Sequence, residues 1–139
     1  MRIWTNACLA ILGFGIAIFM GVAGADAQQA GPRIILKSGE TAEVSNVFFV
    51  ANCKSIMIGT PVIEVLEGPE EVTLTIKEGK VVPRVNGQNC ANPVAGGTIM
   101  ATAKDVEEAK ESKLTFRVMY KTKDGDRPRS SVYLVSLFP

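Results

Sequence analysis

The stretch KLTFRVMYKTK, residues 113–123, decides the fold class of this chain. Apolar residues alternate in it with polar and charged ones, a period of two that is typical of a β-strand with one buried face. The residues expected on the buried face are Leu114, Phe116, Val118 and Tyr120. Those expected on the solvated face are Lys113, Thr115, Arg117, Met119, Lys121 and Lys123.

The turn after this strand is marked by Asp124-Gly125, a dipeptide that is typical of β-hairpins. Residues 130–138 are predicted to return as the last strand. Because Arg127, Pro128 and Arg129 lie between the turn and that strand, we expect a hairpin loop longer than two residues.

Shorter runs upstream show the same period and are bounded by Gly, Pro and Asn. The strands predicted there span residues 33–36, 43–51, 61–66, 80–85 and 98–104, with one more between Pro69 and Gly79. Seven or eight strands in a domain of this size favour an all-β fold, an immunoglobulin-like two-sheet sandwich. One segment differs, since residues 105–111 are expected to form a helical turn with Asp105 as N-cap and Glu108 at N3.

Residues 1–27 are predicted to be a secretory signal peptide. Arg2 supplies a positive start, residues 7–23 are apolar and uncharged, and Ala25-Asp26-Ala27 is a small-x-small site with cleavage before Gln28. An uncleaved membrane anchor is the alternative, because the apolar run approaches the length of a membrane span. We expect a mature domain of residues 28–139 in the periplasm or outside the cell, with membrane contact only if the leader is retained.

The mature domain would keep two cysteines, Cys53 and Cys90. An even pair in an exported chain favours one structural disulfide. A pair of free redox-active thiols is the alternative, but it would favour a Cys-x-x-Cys spacing, which the chain lacks. The loop of residues 86–97, rich in Asn, Gly and Pro, is expected to be pinned by this bridge and is a candidate for recognition.

Composition excludes several functions. The chain of 139 residues has 15 Lys+Arg, 14 Asp+Glu and no His. Without histidine there is no Ser-His-Asp triad and no imidazole zinc site, and a net charge of +1 gives no general attraction to nucleic acid. Four carboxylates lie close together in the sequence, namely Glu64, Glu67, Glu70 and Glu71. Two of them could act as acid and base in glycoside cleavage, but the favoured interpretation is that they form a solvated rim. We expect the protein to be non-enzymatic and to bind no metal and no cofactor.

A basic strand face is the most specific surface feature of the sequence. By parity it contains Lys113, Arg117, Lys121 and Lys123, and Arg127 and Arg129 are expected to follow in the loop. Such a face could bind anionic lipid, polysaccharide or an acidic partner. The alternative is a solvated face whose lysines discourage edge-to-edge aggregation.

Four segments carry a resemblance to known proteins: NCKS at 52–55, NCANPV at 89–94, LTFR at 114–117 and VYLVSLFP at 132–139. They resemble small exported proteins of unknown function that are common in alphaproteobacteria. That resemblance implies a periplasmic immunoglobulin-like β-sandwich and no activity. The cysteine pair is also similar to that of chaperone–usher fimbrial subunits, whose incomplete sandwich is completed by a strand from a neighbour.

The favoured hypothesis is a non-enzymatic periplasmic binding or scaffolding module that acts through the basic strand face and the disulfide-pinned loop. Its expected partner is an envelope protein or an anionic surface ligand. The alternative is a pilin-like structural adhesion subunit assembled by strand addition, for which residues 28–33 would be a detachable extension.

Overall fold

The computed structural model describes residues 31–139, and these residues form strands and turns without a helix. The predicted signal peptide, residues 1–27, lies outside the described residues. The strands are β1 Arg33–Lys37, β2 Thr41–Val47, β3 Val50–Ala51, β4 Lys54–Ser55, β5 Val62–Glu67, β6 Val72–Val81, β7 Arg84–Val85, β8 Gln88–Asn89, β9 Val94–Ala103, β10 Lys110–Thr122 and β11 Gly125–Phe138. The predicted all-β class is therefore confirmed.

Seven of these strands form two principal sheets. The first has the order β1-β11-β10-β5 and the second has the order β2-β9-β6. All neighbours are antiparallel except β1 and β11, which run parallel. The other four strands form two small hairpins, β3-β4 and β7-β8, which the sequence analysis did not anticipate.

The alternation predicted for residues 113–123 is confirmed in β10. Its residues Leu114, Phe116, Val118 and Tyr120 are buried, and the residues between them are half-buried or exposed. Because β10 lies between β5 and β11, it presents its apolar face at the centre of the first sheet.

A single hydrophobic core is shared by the two sheets. The side chains buried in it come from β1, β10 and β11 of the first sheet and from β2, β6 and β9 of the second. Phe116 and Ile99 are among the largest of its fully buried side chains, one from each sheet. Burial of apolar area of this kind is the main favourable contribution to folding, so the two sheets stabilise each other.

The helical turn predicted for residues 105–111 is wrong. Asp105 has a positive φ of 54°, and Lys110 already begins β10. The backbone N–H groups of this segment have tertiary partners, since Lys104 donates to the carbonyl of Glu71 and Val106 donates to the Ser38 hydroxyl. Val106 is buried in the core, so packing outweighs the weak local preference for a helix.

The expectation of a long loop after β10 is also wrong. The loop is Lys123-Asp124, and β11 begins at Gly125, whose φ is +110°. The Thr122 hydroxyl donates to the Gly125 carbonyl at 2.8 Å, which closes the turn. Pro128 fits inside β11 because β1 pairs only with residues 134–138 of that strand, so Pro128 lies at a sheet edge.

Strand β6 also departs from expectation. Gly79 does not end it, because the strand continues to Val81 with Gly79 opposite Gly96. Residues 43–51, in contrast, divide into the end of β2 and the short strand β3.

Candidate functional site

The six cations predicted to form one basic face are divided by the structure between two faces of the β10-β11 hairpin. Directly opposite residues of antiparallel strands point to the same side of the sheet. Lys113, Arg117 and Lys121 lie on the face opposite to the core, which we call the outer face. Arg127 is opposite Tyr120 and Arg129 is opposite Val118, so both lie on the core side, beyond the part that the second sheet covers.

Carboxylates lie beside several cations of the outer face, and two of these cations form ion pairs. A terminal nitrogen of Arg117 donates to Glu64 of β5 at 2.7 Å. Lys121 lies directly across the hairpin from Asp126. On the same face, Arg33 of β1 pairs with Glu111 and also donates to the Ser136 hydroxyl at 3.2 Å. The outer face is therefore a mixed-charge surface.

Arg129 is stacked on an aromatic side chain. Its guanidinium carbon lies 5.0 Å from the ring centroid of Phe49, which follows β2. The Phe49 ring in turn lies 5.3 Å from the ring of Tyr120. Arg127 and Arg129 are both exposed, and they are two residues apart on one face of a strand, which corresponds to about 7 Å along the chain. Lys123 lies in the turn.

The surroundings of Tyr120 shift the pKa of its phenol. Burial raises the pKa of its phenol above the ordinary value of 10.0. The positive charge of Arg129 acts in the opposite direction and lowers that pKa, as does a backbone hydrogen bond with Phe48. Arg129 is thus close enough to Tyr120 for its charge to act on the phenol.

The predicted disulfide is present and joins the two small hairpins. Cys53 and Cys90 are bonded with Cα atoms 5.6 Å apart. Positive φ at both central residues gives each hairpin a type I′ turn, Asn52-Cys53 in one and Asn86-Gly87 in the other. The Cys90 N–H donates to the carbonyl of Pro83 at 2.8 Å.

The segment predicted as a pinned loop, residues 86–97, is accordingly more regular than expected. Its first residues form the tip of the β7-β8 hairpin, and β9 begins at Val94. Irregular backbone remains between Cys90 and Val94. The bridge therefore joins the turn Asn52-Cys53 to the base of the β7-β8 hairpin, where the Cys90 N–H pairs with the Pro83 carbonyl.

The acidic residues expected to form a solvated rim are distributed between two places. Glu64 pairs with Arg117, as described above. Glu70 and Glu71 line an open cleft of about 620 Å³ with Lys104 and Lys110. The ammonium of Lys110 donates to Glu71 at 2.6 Å, and this hydrogen bond is the main reason why the pKa of Glu71 lies below the ordinary 4.5.

A second open cleft, of about 420 Å³, lies between the segment 55–61 and strands β6 and β9 of the second sheet. Glu78 in its wall accepts a hydrogen bond from the Thr60 hydroxyl. Within residues 31–139, no group of three His, Cys, Asp or Glu side chains is arranged to hold a metal ion. In the same range no helix is long and apolar enough to cross a membrane.

Sequence reasoning missed two parts of this arrangement. It did not find Phe49, because nothing in the local pattern shows that a residue about 70 positions before Tyr120 in the chain packs on its ring. It also placed Arg127 and Arg129 in a loop. A two-residue loop at Asp124-Gly125 would have placed both arginines in the return strand, with Arg127 opposite Thr122. The loop in the structure is Lys123-Asp124, which places Arg127 opposite Tyr120.

Comparison with known proteins leaves the chain without a family. No family model matches it, and no curated protein matches it significantly. One similar solved structure is described as the solution structure of amebosin. It is 13% identical, covers 80% of this chain and 91% of amebosin, and has a TM-score of 0.38.

Proposed function

We propose that this protein is a non-enzymatic binding or scaffolding module of the bacterial periplasm or cell envelope, and that it binds anionic partners through the β10-β11 hairpin. One observation carries the proposal: Arg127 and Arg129 are exposed on one face of the β10-β11 hairpin and have no carboxylate within ion-pair distance among residues 31–139. Exposed cations that are not neutralised within the protein attract anions.

The domain is proposed to be an immunoglobulin-like sandwich, and the strand order supports this. In the constant-type fold, strands A, B, E and D form one sheet and C, F and G form the other. If the seven strands of the principal sheets are named A to G along the chain, β2-β9-β6 corresponds to B-E-D and β11-β10-β5 to G-F-C. Strand β1 differs, because it pairs with the last strand and not with β2.

Export of the domain is supported by the disulfide. Stable disulfides are typical of oxidising compartments such as the periplasm, and the Cys53–Cys90 bond is formed here. The composition of residues 1–27, with its small-x-small site, supports the same location.

The disulfide-pinned loop is the second proposed contact surface. The turns Asn52-Cys53 and Asn86-Gly87 are both exposed, and the bridge joins the hairpins to which they belong. Polar turns fixed on a β-scaffold are often used for recognition.

A pilin-like subunit is the alternative function, and it has less support. Strand addition requires a sheet position that is waiting for a strand. Strand β11 pairs with β10 over the full length of β10, and β1 occupies residues 134–138 of its other edge. Pro128 lies in the part of that edge that β1 does not cover, and it cannot donate a hydrogen bond to an added strand. A purified subunit that polymerises would favour this alternative over the binding module.

The experiment is co-sedimentation of the purified protein with fractions of a bacterial envelope. We expect wild-type protein to bind an anionic fraction, and the double variant R127E/R129E to bind at least about tenfold more weakly. The matched control is K113E/K121E, which reverses two cations on the outer face. Absence of binding to every fraction, or equal losses for both variants, would overturn the proposal.

A further inference from the structure

We propose that Arg127 and Arg129 form a phosphate-binding site on the core side of the β10-β11 hairpin. The inference rests on the proposed function and deepens it, because it names the chemical group that the same hairpin recognises. The phosphate can belong to a lipid headgroup or be free in solution. Four features of the structure support it.

The first feature is the position of the two arginines. Alternate residues of a strand share a face, and Arg127 and Arg129 are also on the same face as their partners Tyr120 and Val118. Arginine side chains are long enough for two of them, separated by about 7 Å along the strand, to converge on one ligand. Lys121 and Asp126, across the sheet on the outer face, cannot take part in the same contact.

The second feature is the stacking of Arg129. Its guanidinium lies over the Phe49 ring at 5.0 Å from the centroid, and Phe49 is itself held against Tyr120. A guanidinium fixed by its face keeps its N–H donors in the plane of the group available to a ligand. Fixing a flexible side chain before binding also lowers the entropy that binding costs.

The third feature is the absence of an internal anion. The ion pairs found among residues 31–139 use Arg33, Lys110 and Arg117, and none uses Arg127 or Arg129. The acidic residue that precedes Arg127, Asp126, is opposite Lys121 and therefore on the other side of the sheet. An incoming anion therefore need not displace a carboxylate of the protein.

The fourth feature is the number of donors, which favours phosphate over carboxylate. One arginine fork satisfies both oxygens of a carboxylate. A terminal phosphate has three acceptor oxygens and up to two negative charges, so it can use two forks at once. Two arginines on one face match that demand.

The test is a titration of the purified protein with inorganic phosphate, followed by backbone amide NMR shifts. We expect saturable binding that moves the signals of β11 near residues 127–129. R127Q and R129Q are each expected to weaken phosphate binding by about tenfold, the effect of losing a charge-assisted hydrogen bond. K113Q and K121Q, which remove one positive charge each from the outer face, are expected to change it by less than about twofold.

Two further variants test the geometry. R129K keeps the charge but loses the planar fork, and F49L removes the ring beneath it, so both are expected to weaken phosphate binding while circular dichroism stays unchanged. Titration with acetate in place of phosphate measures selectivity, and we expect weaker binding of acetate. If acetate binds as well as phosphate, or K121Q has the effect of R129Q, the site is only a general positive charge and the inference is wrong.

A second experiment distinguishes the two possible sources of the phosphate, a lipid headgroup and free phosphate. Vesicles of phosphatidylcholine that contain phosphatidic acid, whose phosphate is terminal, are compared with vesicles of phosphatidylcholine that contain an anionic fatty acid. Binding to the phosphatidic acid vesicles alone, lost in R127Q/R129Q, indicates a lipid headgroup. Binding of inorganic phosphate without vesicle binding indicates a free phosphate, and binding of neither overturns the inference. If R127E/R129E still loses envelope binding in that case, the proposed function stands and only the ligand is wrong.

Discussion

At the scale of single residues, the position of the Arg129 guanidinium depends on an aromatic side chain that is far away in sequence. It is exposed, yet its guanidinium is held over Phe49, and its charge lowers the pKa of Tyr120 beneath that ring. Burial is the larger influence, so the pKa of Tyr120 remains above 10.0 in the folded protein. The stabilisation that comes from keeping this phenol neutral is complete below pH 10.0 and is lost as the pH rises through the folded pKa.

This arrangement gives a prediction for Arg129→Ala. Because the arginine lowers the pKa of Tyr120, its removal is expected to raise that pKa further. The measurement is the ultraviolet absorbance of tyrosinate as the pH is increased, in a Tyr133→Phe background so that Tyr120 is the tyrosine observed in the mature domain. Arg127→Ala in the same background is the control for loss of charge. A Tyr120 pKa that stays the same or falls in Arg129→Ala would show that the arginine does not act on the phenol.

At the scale of elements, the sequence pattern of β10 predicts which face of the strand is buried but not how long the following loop is. Period-two alternation correctly assigned Leu114, Phe116, Val118 and Tyr120 to the buried face, because a strand must turn alternate side chains to opposite sides. The length of the following loop was predicted wrongly. Pro128 is expected in the loop together with Arg127 and Arg129, but it lies in β11 at an edge that β1 does not reach. Edge status depends on the neighbouring strand, which a local pattern does not contain.

A pair of adjacent substitutions in β10 tests this alternation energetically. Phe116 is almost completely buried between the sheets, so Phe116→Ala is expected to lower the free energy of unfolding by about 3–5 kcal/mol. Thr115→Ala, one residue earlier and on the outer face, is expected to change it by less than about 1 kcal/mol. Urea unfolding followed by circular dichroism measures both. Similar losses for the two variants would contradict the assignment of faces.

At the scale of the whole molecule, the disulfide connects the two small hairpins. Along the chain, β3-β4 lies between β2 and β5, and β7-β8 lies between β6 and β9. The bonded cysteines are 37 residues apart, and the core cluster shared by the sheets does not include Cys90. The bridge thus stabilises the domain mainly by restricting the unfolded chain and not by filling the core.

Removal of the bridge is therefore expected to weaken the domain without changing its sheets. For Cys53→Ser/Cys90→Ser we expect a loss of about 2–4 kcal/mol in the free energy of unfolding, measured by urea titration. Amide signals of β10 and β11 are expected to keep their positions, while those of β3, β4, β7 and β8 move. Wild-type protein treated with a reductant should behave in the same way. An unchanged urea midpoint would show that the bridge does not constrain the unfolded chain.

The amino-acid sequence by itself determined the all-β class, the buried face of β10 and the cysteine pair, because strand periodicity and cysteine count are local or compositional properties. Only the tertiary structure decided which cations share a face. Strand pairing placed Arg127 and Arg129 opposite Tyr120 and Val118, and it brought Arg117 beside Glu64. Register and long-range packing arise from contacts between residues that are distant in the chain, so the cations that form one basic stripe in the sequence are divided between a mixed-charge outer face and an arginine pair on the core side.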